Sequence, residues 1–267
     1  LNYNVLYEAS QLDFIKSVKL YPKGATTHSD AGVQSLSAIY PTLEAMEELG
    51  LILSIHGEVV DKNIDIFDRE AVFLERELAP IIKRFPRLKI ILEHISTQDA
   101  VDFVLASPNT VAATITPQHL LLNRNDLLAG GIRPHHYCLP IVKSETHRQA
   151  VIRAATSSNP KFFIGTDSAP HAQHDKESAC GCAGIFSAHA AVELYAEAFE
   201  QAGALDKLEN FTSVFGAEFY NLPVNSETVM LKKAPWHVPE SYATGNSTII
   251  PLFAGKTLQW KLLPHDS

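Results

Sequence analysis

The feature that most constrains this chain is a repeated pairing of short β-rich apolar runs with longer stretches of helical hydrophobic period. Runs at 14–21, 51–56, 88–94, 111–115, 137–139 and 162–165 read as six strands, with 137–139 the weakest. Between the first two, Leu36, Ile39, Tyr40, Leu43, Met46 and Leu49 recur at three- and four-residue spacing and are closed by Gly50. That spacing predicts an amphipathic helix with a glycine stop. Further helices are expected over 69–85 with a break near Pro80, from a Ser96/Asp99 cap to about Ala106, and over 144–157, 188–202 and 207–220. Strands and helices alternating in this way form an α/β fold with a mainly parallel sheet. From 222 onward Pro223, Pro235, Pro239, Pro251 and Pro264 predict an irregular wrap rather than another βα unit. No linker, repeat or low-complexity tract divides the chain, so residues 1–267 are expected to form a single domain.

Composition narrows the partners. With 46% hydrophobic residues in 267, the chain has enough apolar surface to bury a substantial core. Lysine and arginine number 22 against 30 acidic residues, and a net charge of −8 repels nucleic acid and anionic bilayers on average. A small molecule is the better partner. No run approaches the roughly 18 apolar residues that cross a bilayer, and no signal-peptide pattern opens the chain, which reads as cytoplasmic. Cys138, Cys180 and Cys182 are too few for a disulfide framework and fit a reducing compartment.

The chemistry is written at the strand ends. Lys19 in VKLYP, His56 in LSIHGE, His94 in ILEHIS and Asp167 in FIGTDSAPH each close an apolar run. In parallel sheets and barrels catalytic groups collect at the carboxyl ends of strands, because the βα loops open there. Taken singly, a strand-end histidine is more often a hydrogen-bonded structural residue, and a lone Lys19 reads as a snorkelling or salt-bridged lysine. Four strand ends together favour a site. Imidazole and carboxylate suit a catalytic zinc, and a buried neutral lysine amine can add carbon dioxide to become an anionic carbamate ligand.

These residues sit in segments with a resemblance. KLYP followed by ATT, then IHGEV, IDIFDREA, EHIST, AATITPQHL, GGIRPHHYCLPI, GTDSAPHAQHDKES and CGCAG occur in that order over roughly 16–222. The chain resembles the amidohydrolase superfamily and, within it, the shorter bacterial type of dihydroorotase. The resemblance implies a TIM-like (β/α)8 barrel of the metal-dependent hydrolase type, with about six of its eight βα units in this chain. It implies two zinc ions bridged by a carboxylated Lys19, with His56 and His94 on the more exposed zinc. Asp167 would bind the buried zinc and act as general base. The reaction would be the reversible interconversion of N-carbamoyl-L-aspartate and L-dihydroorotate in pyrimidine biosynthesis. His171 and the backbone at Ala183 would contact the substrate carboxylate, Leu139 the ring through its backbone, and His56 would also face substrate. Thr26 and Thr27 would belong to the loop that closes over the substrate. The resemblance further suggests a homodimer.

The other histidines take bland readings. His119 in TPQHL is a hydrogen-bonded loop histidine or a partner behind the ligands, and His28, His135, His136, His147, His189, His237 and His265 are structural or exposed. Cys180 and Cys182 shape a loop rather than hold a third metal. One departure stands out: the family opens with a strand carrying His-x-His and a following arginine, and no His-x-His occurs in these 267 residues. Two explanations are open, that roughly 60–80 residues of opening βα units precede Leu1, or that this is a shortened non-catalytic relative. The first predicts an open barrel. A hydantoinase-like hydrolase is the alternative inside the superfamily, and the His171 and CGCAG segments argue for the carboxylate-bearing substrate.

Overall fold

The computed structural model describes residues 2–27 and 29–264, so His28 and His265 lie outside the described residues. Five parallel strands form the central sheet: β1 (Ser17–Leu20), β2 (Ile52–His56), β3 (Ile90–Glu93), β4 (Val111–Ile115) and β5 (Phe162–Ile164). They lie in the order β1-β2-β3-β4-β5, and every neighbouring pair is parallel. Before and between them run α1 (Tyr3–Ser10), α2 (Tyr40–Leu49), α3 (Arg69–Phe73), α4 (Ala79–Arg84), α5 (Gln98–Ala106), α6 (Pro117–Leu121), α7 (Arg124–Leu128) and α8 (Glu145–Ala155). Then come α9 (Gln173–Lys176), α10 (Ala191–Gln201) and α11 (Phe215–Phe219). The alternation is that of a partial (β/α) barrel.

Strand parity sorts the side chains. Leu53 and Ile55, Ile90 and Leu92, Val111, Ala113 and Ile115, and Phe162 join the main core under the helices. Their alternates Ile52, Ile91, Ala112 and Phe163 form a second cluster on the other face, closed by Phe215, Phe219 and Tyr220. Because both faces are covered, the strands read as continuous apolar runs. Farther along that second face the same parity delivers Lys19, Ser54, His56, Glu93 and Thr114, and polar groups take over at the carboxyl ends. On the helix side Tyr195 of α10 is fully buried, and its hydroxyl donates to Ile115 O at 2.7 Å.

Local signals explain most boundaries. Gly50 ends α2 in the left-handed region at φ 70°, its N–H on Met46 O. The break expected near Pro80 is a π-helical turn, Leu74–Leu78, just ahead of α4: proline at 80 has no N–H to return to the carbonyl four residues back. Three expectations are corrected. The segment 137–139 is not a strand, so the sheet has five strands and not six. Its Tyr137 carbonyl is taken by Gly184 N–H at 3.0 Å and by the Lys176 ammonium at 2.8 Å, leaving no ladder to join. The cap of α5 is Thr97, which accepts from Ala100 N–H, while Ser96 is held by buried Glu70. The tail is less irregular than its prolines suggest: β6 (Leu231–His237) pairs antiparallel with β9 (Thr257–Leu262), and β7 (Tyr242–Thr244) with β8 (Ser247–Ile249). Among the described residues no helix is long and apolar enough to cross a membrane.

Candidate active site at the strand ends

The ends of β2 and β3 bring two imidazoles together. His56 is the last residue of β2, and His94 directly follows β3. His56 Nδ1 and His94 Nε2 stand 3.2 Å apart, with ring centroids 4.7 Å apart at 65°. Both side chains are buried. The other nitrogen of His56 is fixed by Glu58, whose Oε2 lies 2.8 Å from Nε2. A proton on Nε2 donated to that carboxylate would leave a lone pair at Nδ1. His94 has a left-handed backbone, φ 47°, and its N–H donates to Thr114 Oγ1 at 2.8 Å. Burial, then the charges of His56, Lys19 and His119, hold the His94 imidazole well below its ordinary pKa, so it is neutral.

Lys19 and Asp167 complete the ring of strand ends. Lys19 of β1 makes an ion pair with Glu93 of β3, leaving its side chain 41% exposed. Desolvation lowers its pKa to about 8, while the charge of Asp167 works in the opposite direction. Asp167 lies beyond β5 with φ 43°. Desolvation raises its carboxyl above the usual range, and Lys19 and His56 pull it back down. The turn into Asp167 requires a glycine before it, since a Cβ at Gly165 would fall 2.5 Å from Thr114 Cβ. Thus Thr114 is wedged between the two turns that carry His94 and Asp167.

A second group of predicted residues converges on one carbonyl. His171 Nε2 lies 3.1 Å from Ala183 O, and Thr27 Oγ1 donates to the same oxygen at 3.4 Å. The Thr26 end of that loop is pinned by buried Ser29, which accepts from Thr26 N–H at 3.1 Å and donates to Thr26 O at 2.5 Å. Gly184 lets the 180s loop press close: a Cβ there would stand 2.6 Å from Ala169 O and 2.8 Å from His171 Nε2. Leu139 is half-buried in the neighbouring segment.

The four expected metal residues are therefore brought together unequally. His56 and His94 meet, whereas Lys19 is engaged by Glu93 and Asp167 acts on Lys19 and His56 through charge. Among the described residues no three His, Cys, Asp or Glu side chains form a group able to hold a metal ion. The histidine pair supplies the donors a metal ion would meet: two buried imidazoles face each other, one is backed by a buried carboxylate, and His94 Nδ1 and Glu58 Oε1 are buried without a hydrogen-bond partner. That donor set suits zinc or a similar borderline cation.

The remaining histidines behave as structure. His119 bonds Thr116 Oγ1 and Pro140 O at 2.7 and 2.9 Å, His135 pairs with Glu177, and His136 with Asp126 O. His147 accepts from Gln98 N–H, His237 meets Thr257, and His189 packs against Phe186 and Tyr242. Cys180 and Cys182 are free thiols, Sγ to Sγ 3.6 Å. Three residues behind the site lie in the segments IHGEV, IDIFDREA and GTDSAPHAQHDKES, where nothing local marks them as buried. Glu58 stands apart from other acids in a mostly apolar stretch, Glu70 follows Asp68 and Arg69, and Lys176 lies in the charged run HDKE, yet all three are buried and bonded.

Comparison with known proteins places this arrangement. An amidohydrolase family model matches residues 9–116. A dihydroorotase of Shewanella denitrificans is 60% identical over 256 residues, covering 96% of this chain and 74% of the relative. A dihydroorotase of Laribacter hongkongensis is 61% identical over 249 residues, covering 93% and 72%. Among solved structures, the Saccharomyces cerevisiae dihydroorotase in complex with 5-fluoroorotic acid superposes with a TM-score of 0.90 at 36% identity, covering 98% of this chain and 77% of that one. A D-hydantoinase shares the fold with a TM-score of 0.77 at 15% identity, covering 97% and 64%.

Proposed function

The chain belongs to the dihydroorotase family, and from that premise we propose that it interconverts N-carbamoyl-L-aspartate and L-dihydroorotate, an amide ring closure and its reverse. What carries the reading is the pairing of a hydrolytic strand-end cluster, His56 and His94 with Lys19 and Asp167, with a separate polar cluster at Thr27, His171 and Ala183. A cyclic amide bearing a carboxylate needs both.

His56, His94, Lys19 and Asp167 are the residues that would hold the metal, which we read as two zinc ions. When bound, such ions polarise an amide carbonyl and bring the pKa of water near neutrality. A lysine at about 8 carries far more free amine at neutral pH than an ordinary one, which favours carbamate formation at Lys19. Glu58 holds the His56 ring and its tautomer, and Thr114 holds the backbone of His94. Asp167 takes a proton from the attacking water as its oxygen adds to the ring carbonyl, and returns it to the ring nitrogen as the C–N bond breaks. His171 donates to the substrate carboxylate together with the backbone N–H of Ala183, Leu139 contacts the ring through its backbone, and Thr26 and Thr27 close over the bound molecule.

The test is turnover by the full-length protein of L-dihydroorotate and of hydantoins, side by side. Hydrolysis of dihydroorotate with little action on hydantoins is expected. Hydantoins as the sole substrates would overturn the substrate assignment, and activity on neither would overturn the enzymatic one.

A further inference from the structure

Lys176, the last residue of α9, is 3% exposed, and its ammonium donates three hydrogen bonds. The acceptors are Tyr137 O at 2.8 Å, Cys182 O at 2.8 Å and Gly184 O at 2.7 Å. The ammonium also lies 5.8 Å from the Tyr137 ring centroid. All three of its protons are satisfied, but by neutral groups: among the described residues no carboxylate makes an ion pair with it. Holding a buried positive charge without an anion is costly, even with its three protons satisfied.

The position of the acceptors indicates what the charge is for. Cys182 O and Ala183 N–H belong to the same peptide group, and Tyr137 stands two residues from Leu139. An ammonium on the carbonyl of a peptide draws electron density from it and strengthens the N–H at the other end as a donor. We propose that Lys176 is a positioning residue for substrate recognition: by gripping Cys182 O and Gly184 O it aims and polarises the Ala183 N–H toward the substrate carboxylate, and through Tyr137 O it ties that loop to the Leu139 segment. This inference rests on the reading that Ala183 and Leu139 meet the substrate. It assigns part of the site's positive charge to a residue that touches no substrate atom, in a protein whose net charge of −8 otherwise disfavours an anion.

The experiment compares the full-length wild type with Lys176→Met, which keeps the shape and removes the charge, and Lys176→Arg, which keeps the charge. Steady-state kinetics on dihydroorotate, competitive inhibition by orotate and thermal melting are measured for each. For Lys176→Met, KM and the orotate inhibition constant are expected to rise about tenfold, with kcat within about threefold of wild type and partial recovery in Lys176→Arg. Unchanged KM and inhibition constant in a folded Lys176→Met would overturn the proposal. So would kcat falling in step with melting temperature while KM stays constant, or neither variant folding, since Lys176 is then a plain structural lysine. Absence of dihydroorotate turnover in the wild type strikes the functional reading instead, so the two failures are distinguishable.

Discussion

Thr114→Val tests the claim that β4 holds the ligand-bearing turn after β3 in place. Thr114 is 7% exposed and His94 3%, and the 2.8 Å bond from His94 N–H to Thr114 Oγ1 links them. Valine has nearly the same shape, and the glycine at 165 leaves the adjacent space free of a Cβ, so packing should change little. What is lost is one neutral hydrogen bond, and what remains is a buried N–H with no acceptor. Leaving such a donor unpaired costs about 1–3 kcal/mol. His94 also sits at φ 47°, a conformation that costs a non-glycine residue of order 1–2 kcal/mol, so losing its anchor gives the turn a reason to relax. Urea denaturation should show a loss of about 1–3 kcal/mol, which at this chain length corresponds to roughly 2–12 °C in Tm. Thr114→Ser, which keeps the oxygen, should cost less than Thr114→Val. A valine variant as stable as wild type, or a serine variant less stable than the valine one, would refute the reasoning.

Two further outcomes follow from the buried groups. Glu58→Gln removes the charge that fixes His56 and should weaken zinc affinity about 10–100-fold, measured by competition with a chromophoric chelator; unchanged affinity would separate Glu58 from the metal-binding role. His119 is driven to about 4 by burial. Its folded pKa is depressed, so the stability it contributes is full above the unfolded value near 6.5 and is lost as pH falls toward 4, a loss of about 3 kcal/mol. His119→Gln should flatten that part of the stability profile in denaturant titrations, and an unaltered slope would count against a buried neutral His119.

How much was legible in the sequence depended on where a residue's partner lay. The runs at 51–56 and 111–115 became β2 and β4 nearly residue for residue, because strands buried on both faces must be apolar throughout. Polar residues closing such runs stood out for the same reason, and the strand-end reading of His56 at the end of β2 and His94 after β3 follows from it. The segment 137–139 looked like a strand because it is apolar, but its carbonyl is claimed by Lys176 and Gly184, which are remote in sequence. Proline at 235 suggested irregularity, whereas a two-stranded sheet accommodates it at the register shift between Lys233 and Trp236. Lys176 and Glu58 were illegible in their roles because only the fold reveals that a charged residue has turned inward and what it meets there. The histidine pair was legible as two residues of the right type, but the 3.2 Å approach of their rings depends on a left-handed turn at His94 that no local signal announces.

The account's central claim is that the strand ends form a hydrolytic site in which Asp167 moves the proton, and Asp167→Asn in the full-length protein tests it most directly. Dihydroorotate turnover and bound zinc are measured on the same preparation. The account predicts that kcat falls by about 10²–10⁴-fold while His56 and His94 still retain part of the metal. An asparagine variant that hydrolyses dihydroorotate at the wild-type rate would contradict it.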